Sequence, residues 1–168
     1  CDSLELDIKG EKRTYFKDPA DTASKWSRVT LPWMSIGYET KITPLQLLTF
    51  YNAVANNGTM MRPMFVEAQI ENGRKVSENQ PHVIRNSIAS RKTIRAVQSA
   101  LKGVVEHGTA QNIRNTPYKI AGKTGTAQIA KGNKGYGKEG ERSYLASFAG
   151  YFPADEPLYS CVVMVYGP

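Results

Sequence analysis

Paired cysteines, clustered histidines and long apolar runs are all missing from this sequence. The two cysteines, Cys1 and Cys161, stand far apart, with no Cys-x-x-Cys and no metal-ligand spacing. They leave the redox compartment open, and Cys161, inside an apolar run, reads as a small core residue. His82 and His107 are isolated, so neither a metal site nor any other cofactor is expected. No apolar run approaches the roughly 20 residues of a membrane span. There is no signal-peptide pattern, and a chain that starts at Cys1 rather than Met reads as a processed or excised piece. Acidic residues are in deficit, 15 against 22 Lys and Arg, which gives a net charge of +7. A basic surface suits nucleic acid, anionic lipid or acidic substrates, and charge alone does not choose. No nucleic-acid-binding module signature accompanies it, so nucleic acid is not expected as a partner.

What is present suits one folded globular unit. The 168 residues are enough for a real core, with 40% hydrophobic and 22% charged residues. The chain is organised around Lys119-Ile120-Ala121-Gly122-Lys123-Thr124-Gly125-Thr126-Ala127-Gln128-Ile129. Thr124, Thr126 and Ile129 favour a strand, and alternation puts the two threonine hydroxyls on one face. Gly122 and Gly125 leave backbone uncovered, which often marks close approach of a ligand. Lys123 adds a positive charge. Such a strand edge is suited to gripping a carboxylate and a peptide-like backbone.

Residues 1–29 form a poorly defined lead-in, with Leu4, Leu6 and Ile8 alternating as in a short strand. Thr43, Pro44 and Gln46 predict a capped helix start, with Leu47, Leu48, Tyr51, Val54 and Ala55 as its apolar face and Asn57-Gly58 as its end. Met64 to Ile70 reads as extended, Glu71-Asn72-Gly73-Arg74 as a hairpin turn, and Val76 to Val83 as a weaker strand or loop. Ser90 caps a second helix with the stripe Ile94, Val97, Leu101, Val104 and Val105, closed by Gly108. Residues 131–141 read as a flexible Gly-rich loop and not a phosphate cradle. Ser143 to Phe152 and Leu158 to Tyr166 read as strands around Pro153-Ala154-Asp155-Glu156-Pro157. The fold class is α+β, an antiparallel sheet with packed helices.

Five segments in order carry a resemblance. They are Tyr38-Glu39 with Ile42-Thr43-Pro44-Leu45-Gln46, Ala53-Val54-Ala55-Asn56-Asn57-Gly58, Val104-Val105 with Gly108-Thr109-Ala110, Gly122-Lys123-Thr124-Gly125-Thr126-Ala127, and Ser147-Phe148-Ala149-Gly150-Tyr151-Phe152-Pro153. From about residue 30 onward the chain resembles the C-terminal part of the transpeptidase domain of class B penicillin-binding proteins. The Trp33 to Glu39 wording is closest to the cell-division, septal branch, with the elongation branch second. The resemblance implies a partial penicillin-binding, β-lactamase-like fold over 1–168 and serine acyl transfer on the D-alanyl-D-alanine stem of peptidoglycan. It implies β-lactams as ligands and division or elongation proteins as partners. The location it implies is the extracytoplasmic, periplasmic face of the bacterial membrane.

Carried over, Lys123 and Thr126 become catalytic residues, and Lys123, Thr124, Gly125 and Thr126 bind substrate. The two threonine hydroxyls hold its carboxylate, and the Thr126 N–H is an oxyanion donor. The family's nucleophile, in a Ser-x-x-Lys, and its Ser-x-Asn lie upstream of the Thr43-Pro44-Leu45-Gln46 helix. Ser99-Ala100-Leu101-Lys102 and Ser77-Glu78-Asn79 have the letters but lie downstream of it and in reversed order, so both are rejected. The implied piece lacks nucleophile, membrane anchor and helical centre, and it ends early. A non-catalytic module binding wall or division partners is the alternative. A basic nucleic-acid domain ranks behind because no module signature is present, and a serine β-lactamase because the Ile42-Thr43-Pro44-Leu45-Gln46 and Gly108-Thr109-Ala110 contexts fit transpeptidases better.

Overall fold

The computed structural model describes residues 3–129 and 142–167. The predicted loop 131–141, and Cys1, lie outside the described residues. In chain order the elements are β1 (Tyr15–Phe16), α1 (Thr30–Ser35), β2 (Thr40–Lys41), α2 (Pro44–Ala55), β3 (Met60–Met61), β4 (Ala68–Glu71), β5 (Arg74–Glu78), β6 (Val83–Arg85), α3 (Arg91–Glu106), β7 (Ala121–Ile129), β8 (Ser143–Phe152) and β9 (Tyr159–Tyr166), with short 3-10 turns at Thr22–Ser24 and Gln111–Ile113. Among the described residues, no helix is long and apolar enough to cross a membrane. Two compact units emerge, one from residues 1–46 with 62–82, the other from 47–61 with 83–168.

In the first unit, β1 pairs with β2 and β4 with β5, both antiparallel. The predicted hairpin is present, with Asn72 (φ 51) and Gly73 (φ 75) in the left-handed region that a tight two-residue turn requires. The strand begins at Ala68, so residues 64–67 are not part of it. The expected Leu4–Ile8 strand is absent. Glu11 explains why: its carboxylate accepts from the N–H groups of Leu4 and Leu6 and from Ser3 Oγ, so this segment wraps a carboxylate instead of pairing with a strand. The capping box at the start of α2 is as predicted. Thr43 N–H donates to Gln46 Oε1 (2.8 Å), and Gln46 N–H donates to Thr43 Oγ1 (3.2 Å).

In the second unit, β7, β8 and β9 form one antiparallel sheet in that order. Its core joins Val54 and Ala55 of α2, Leu101 of α3, Ala121 of β7 and Tyr151 of β8, flanked by Tyr51, Ile88, Val97 and Ala154. Helices thus pack on an antiparallel sheet, as the α+β reading expects. Val54 and Ala55 of the predicted α2 face are buried and Tyr51 packs against them, while Leu47 and Leu48 are only half-buried and Thr49 and Ala53 join the buried side. Gly58 (φ 97) ends α2, its N–H donating to Ala53 O at 2.8 Å. Ser90 caps α3 by accepting from Thr93 N–H (3.1 Å), and Ile94, Leu101 and Val105 are its buried stripe. The predicted return strand at 76–83 is two pieces: β5 ends at Glu78, and β6 pairs with β3. Cys161, expected in the core, is half-buried on β9.

Candidate active site

The site is built on β7. Gly167 N–H donates to Tyr144 O (2.9 Å), so Tyr144 turns its main-chain groups toward β9. Antiparallel alternation then turns Leu145, Ser147, Ala149 and Tyr151 toward β7, where the unbroken register pairs them with Ala127, Gly125, Lys123 and Ala121. The N–H and C=O groups of Thr124 and Thr126 therefore point to the opposite edge, which no described strand occupies. Main-chain donors and acceptors with no strand beside them are what an extended peptide needs for strand addition.

Alternation puts Lys123 on the other face from Thr124, yet its side chain bends to the open edge. Lys123 Nζ donates to Thr124 O (2.6 Å) and lies 3.4 Å from Thr124 Oγ1. Thr109, just beyond α3, meets the same hydroxyl, Oγ1 to Oγ1, at 2.7 Å. An ammonium and two hydroxyls thus converge at one point of the edge, a donor set suited to a carboxylate. Thr126 is exposed one pleat further on, on the same face as Thr124.

The sheet itself also bears on the two glycines. A Cβ on Gly122 would stand 2.7 Å from Ala149 O and collide with the Phe148 ring, and one on Gly125 would stand 2.6 Å from Ser147 Oγ. The sheet's own packing demands Gly122, because Ala149 O and Gly150 Cα are backbone, whereas the Ser147 hydroxyl beside Gly125 is a side-chain end that can turn away. Ser147 Oγ also donates to Gly125 O (3.4 Å), holding the strand from the β8 side.

Asp155, in the β8–β9 turn, braces the lead into the strand. Its two carboxylate oxygens meet Lys102 Nζ of α3 at 2.7 Å and Lys119 Nζ at 3.0 Å. The hydrogen bond from Lys102, then that from Lys119, hold its carboxyl below the usual range. Asp155 in turn raises the Lys102 ammonium above its ordinary value. Lys102 is therefore a paired cation, and Ser99 is exposed on α3. Ser77 Oγ donates to Gln69 Oε1 (3.2 Å) and the Asn79 amide to Val66 O (2.6 Å), across the hairpin. Sequence reading placed Lys123, Thr124, Gly125 and Thr126 together correctly on one strand. It gave no role to Thr109, Ser147 or Asp155; the first two sat within the ordered segments, and a contact across the fold has no local signal.

Among the described residues, no group of His, Cys, Asp and Glu could hold a metal ion. The family model described as the penicillin binding protein transpeptidase domain matches residues 6–168. Stage V sporulation protein D of Bacillus subtilis is 32% identical over 135 residues, covering 80% of this chain and 20% of the relative. Penicillin-binding protein PbpB of Mycobacterium tuberculosis is 33% identical over 152 residues, covering 86% and 22%. The crystal structure of penicillin binding protein 3 from M. tuberculosis complexed with aztreonam superposes with a TM-score of 0.80 at 29% identity, covering 99% of this chain and 37% of that one. The chain spans about a fifth of the length of these curated relatives.

Proposed function

Because the chain belongs to the penicillin-binding protein transpeptidase family, we propose that it is the substrate-gripping segment of a serine peptidoglycan D,D-transpeptidase. The cluster of Lys123, Thr124 and Thr109 at the open edge of β7 carries this reading. The stem peptide's D-alanyl-D-alanine lies along the edge, with its carboxylate on the hydroxyls of Thr124 and Thr126, and Lys123 supplies the charge. The Thr126 N–H donates to the oxyanion as the serine attacks the penultimate carbonyl. D-Alanine leaves, an acyl-enzyme remains, and the amine of a neighbouring stem displaces the serine to form the cross-link. A β-lactam follows the same path to the acyl-enzyme. The nucleophile comes from another segment of the parent protein, because Ser99 is exposed and Lys102 is tied to Asp155. The setting is the periplasmic face of the membrane, with division or elongation proteins as partners.

The test uses the upstream-extended protein and follows acylation by benzylpenicillin. Thr126→Pro deletes an N–H that faces the open edge and so breaks no ladder bond. Relative to Thr126→Ala, it slows acylation by about 10²–10³-fold with a near-unchanged melting midpoint. Equal rates for the two variants would remove the oxyanion role. An extended protein that forms no adduct would instead be a non-catalytic module that binds wall or division partners.

A further inference from the structure

Two arginines stand over a cleft with no carboxylate among its described lining residues. The cleft, about 550 Å³, is lined by Asn57, Thr59, Asn86, Ser87, Arg91 and Arg95 above the buried Ile94. Its walls are fixed. Ile88 N–H donates to Gly58 O (2.9 Å), Thr59 Oγ1 donates to Asn86 O (3.3 Å), and β3 pairs with β6 alongside. Ser87 Oγ donates to Ala89 O (2.7 Å), so both hydroxyl protons are engaged within the fold. The guanidiniums of Arg91 and Arg95, and the side-chain amides of Asn57 and Asn86, have no partner among the described residues.

All four side chains are exposed and left to solvent. Arg91 and Arg95 are one helical turn apart and repel each other, with Lys92 beside them. No acidic residue occupies the first turn of α3. Positive charge there also opposes the helix dipole. The two guanidiniums present N–H donors only, in the planar fork geometry that suits phosphate oxygens, and each amide adds an NH2 donor beside its carbonyl. We propose that this cleft binds a phosphate group, carried either by a soluble phosphate ester or by a lipid headgroup. The inference stands apart from the transpeptidase reading and survives its failure.

The whole chain is titrated calorimetrically with inorganic phosphate against chloride at matched ionic strength. It is also sedimented with phosphatidylglycerol–phosphatidylcholine vesicles against pure phosphatidylcholine. Saturable phosphate binding is expected, weakened about tenfold by Arg91→Gln and by Arg95→Gln, and unchanged by Lys75→Gln. Vesicle binding lost in the double arginine variant assigns the phosphate to a lipid. Phosphate binding without vesicle binding assigns it to a soluble ester. Absence of both, or equal weakening by Lys75→Gln, overturns the proposal.

Discussion

Gly150→Ala should destabilise the protein, and Gly103→Ala should stabilise it. Gly150 of β8 faces Gly122 of β7 in the register, one residue ahead of Lys123. A Cβ at Gly150 would lie 2.9 Å from Gly122 Cα and 3.0 Å from Phe148 Cε1, and would collide with Ala121 O. Two of these three neighbours are backbone, so β7 itself must shift. Overpacking of this kind costs about 1–3 kcal/mol. At about 2–4 °C per kcal/mol for a chain of this size, the melting midpoint falls by about 2–12 °C. A Cβ at Gly103 meets nothing within 4 Å. In the interior of α3, alanine there gains about 0.5–1 kcal/mol over glycine, so the midpoint rises by about 1–4 °C. Thermal melts of both variants beside the parent chain decide the matter. A neutral or stabilising Gly150→Ala would refute the reasoning that the glycine pair sets the spacing of β7 and β8.

The buried Tyr151 hydroxyl has no hydrogen-bond partner among the described residues, so Tyr151→Phe should hold or raise the melting midpoint. Burial pushes its phenol up to about 12, above the ordinary 10.0. The folded chain therefore keeps a proton that the unfolded chain loses, and stability falls from pH 10 to 12 in the parent more than in Tyr151→Phe. The depressed Asp155 carboxyl works in the opposite direction. Its contribution is present above the ordinary 3.8 and is lost as pH falls through its folded value, so the midpoint gap between the parent and Asp155→Asn closes in acid. An unchanged gap at low pH would break the link to Lys102 and Lys119. Thr43→Ala deletes one half of the α2 capping box and should cost about 1 kcal/mol in urea unfolding, with Thr43→Ser restoring most of it.

Local chemistry was legible in the sequence wherever a few adjacent residues decide the outcome. Thr43, Pro44 and Gln46 announce a helix start because the capping partners are three residues apart. Asn72-Gly73 announces a hairpin because both residues tolerate positive φ. The Lys-Thr-Gly-Thr strand was legible from its residue types. Which of its edges is open was not, since that follows from pairing with β8 across the chain. Leu4, Leu6 and Ile8 misled because a local alternation cannot show that Glu11 competes for the same N–H groups. The second half of the α2 face, Tyr51, Val54 and Ala55, was legible, but the buried Thr49 and Ala53 were not, since their small side chains carry little apolar signal. The bend of Lys123 toward Thr124, and the arrival of Thr109 at the same hydroxyl, are tertiary facts with no trace in spacing.

Intact mass after incubation with benzylpenicillin, on this chain and on the upstream-extended protein side by side, tests the central claim most directly. The substrate-gripping reading predicts one covalent adduct on the extended protein and none on this chain. An adduct on this chain that Ser99→Ala abolishes would contradict it, because the nucleophile would then lie on α3, beside a lysine that the structure ties to Asp155.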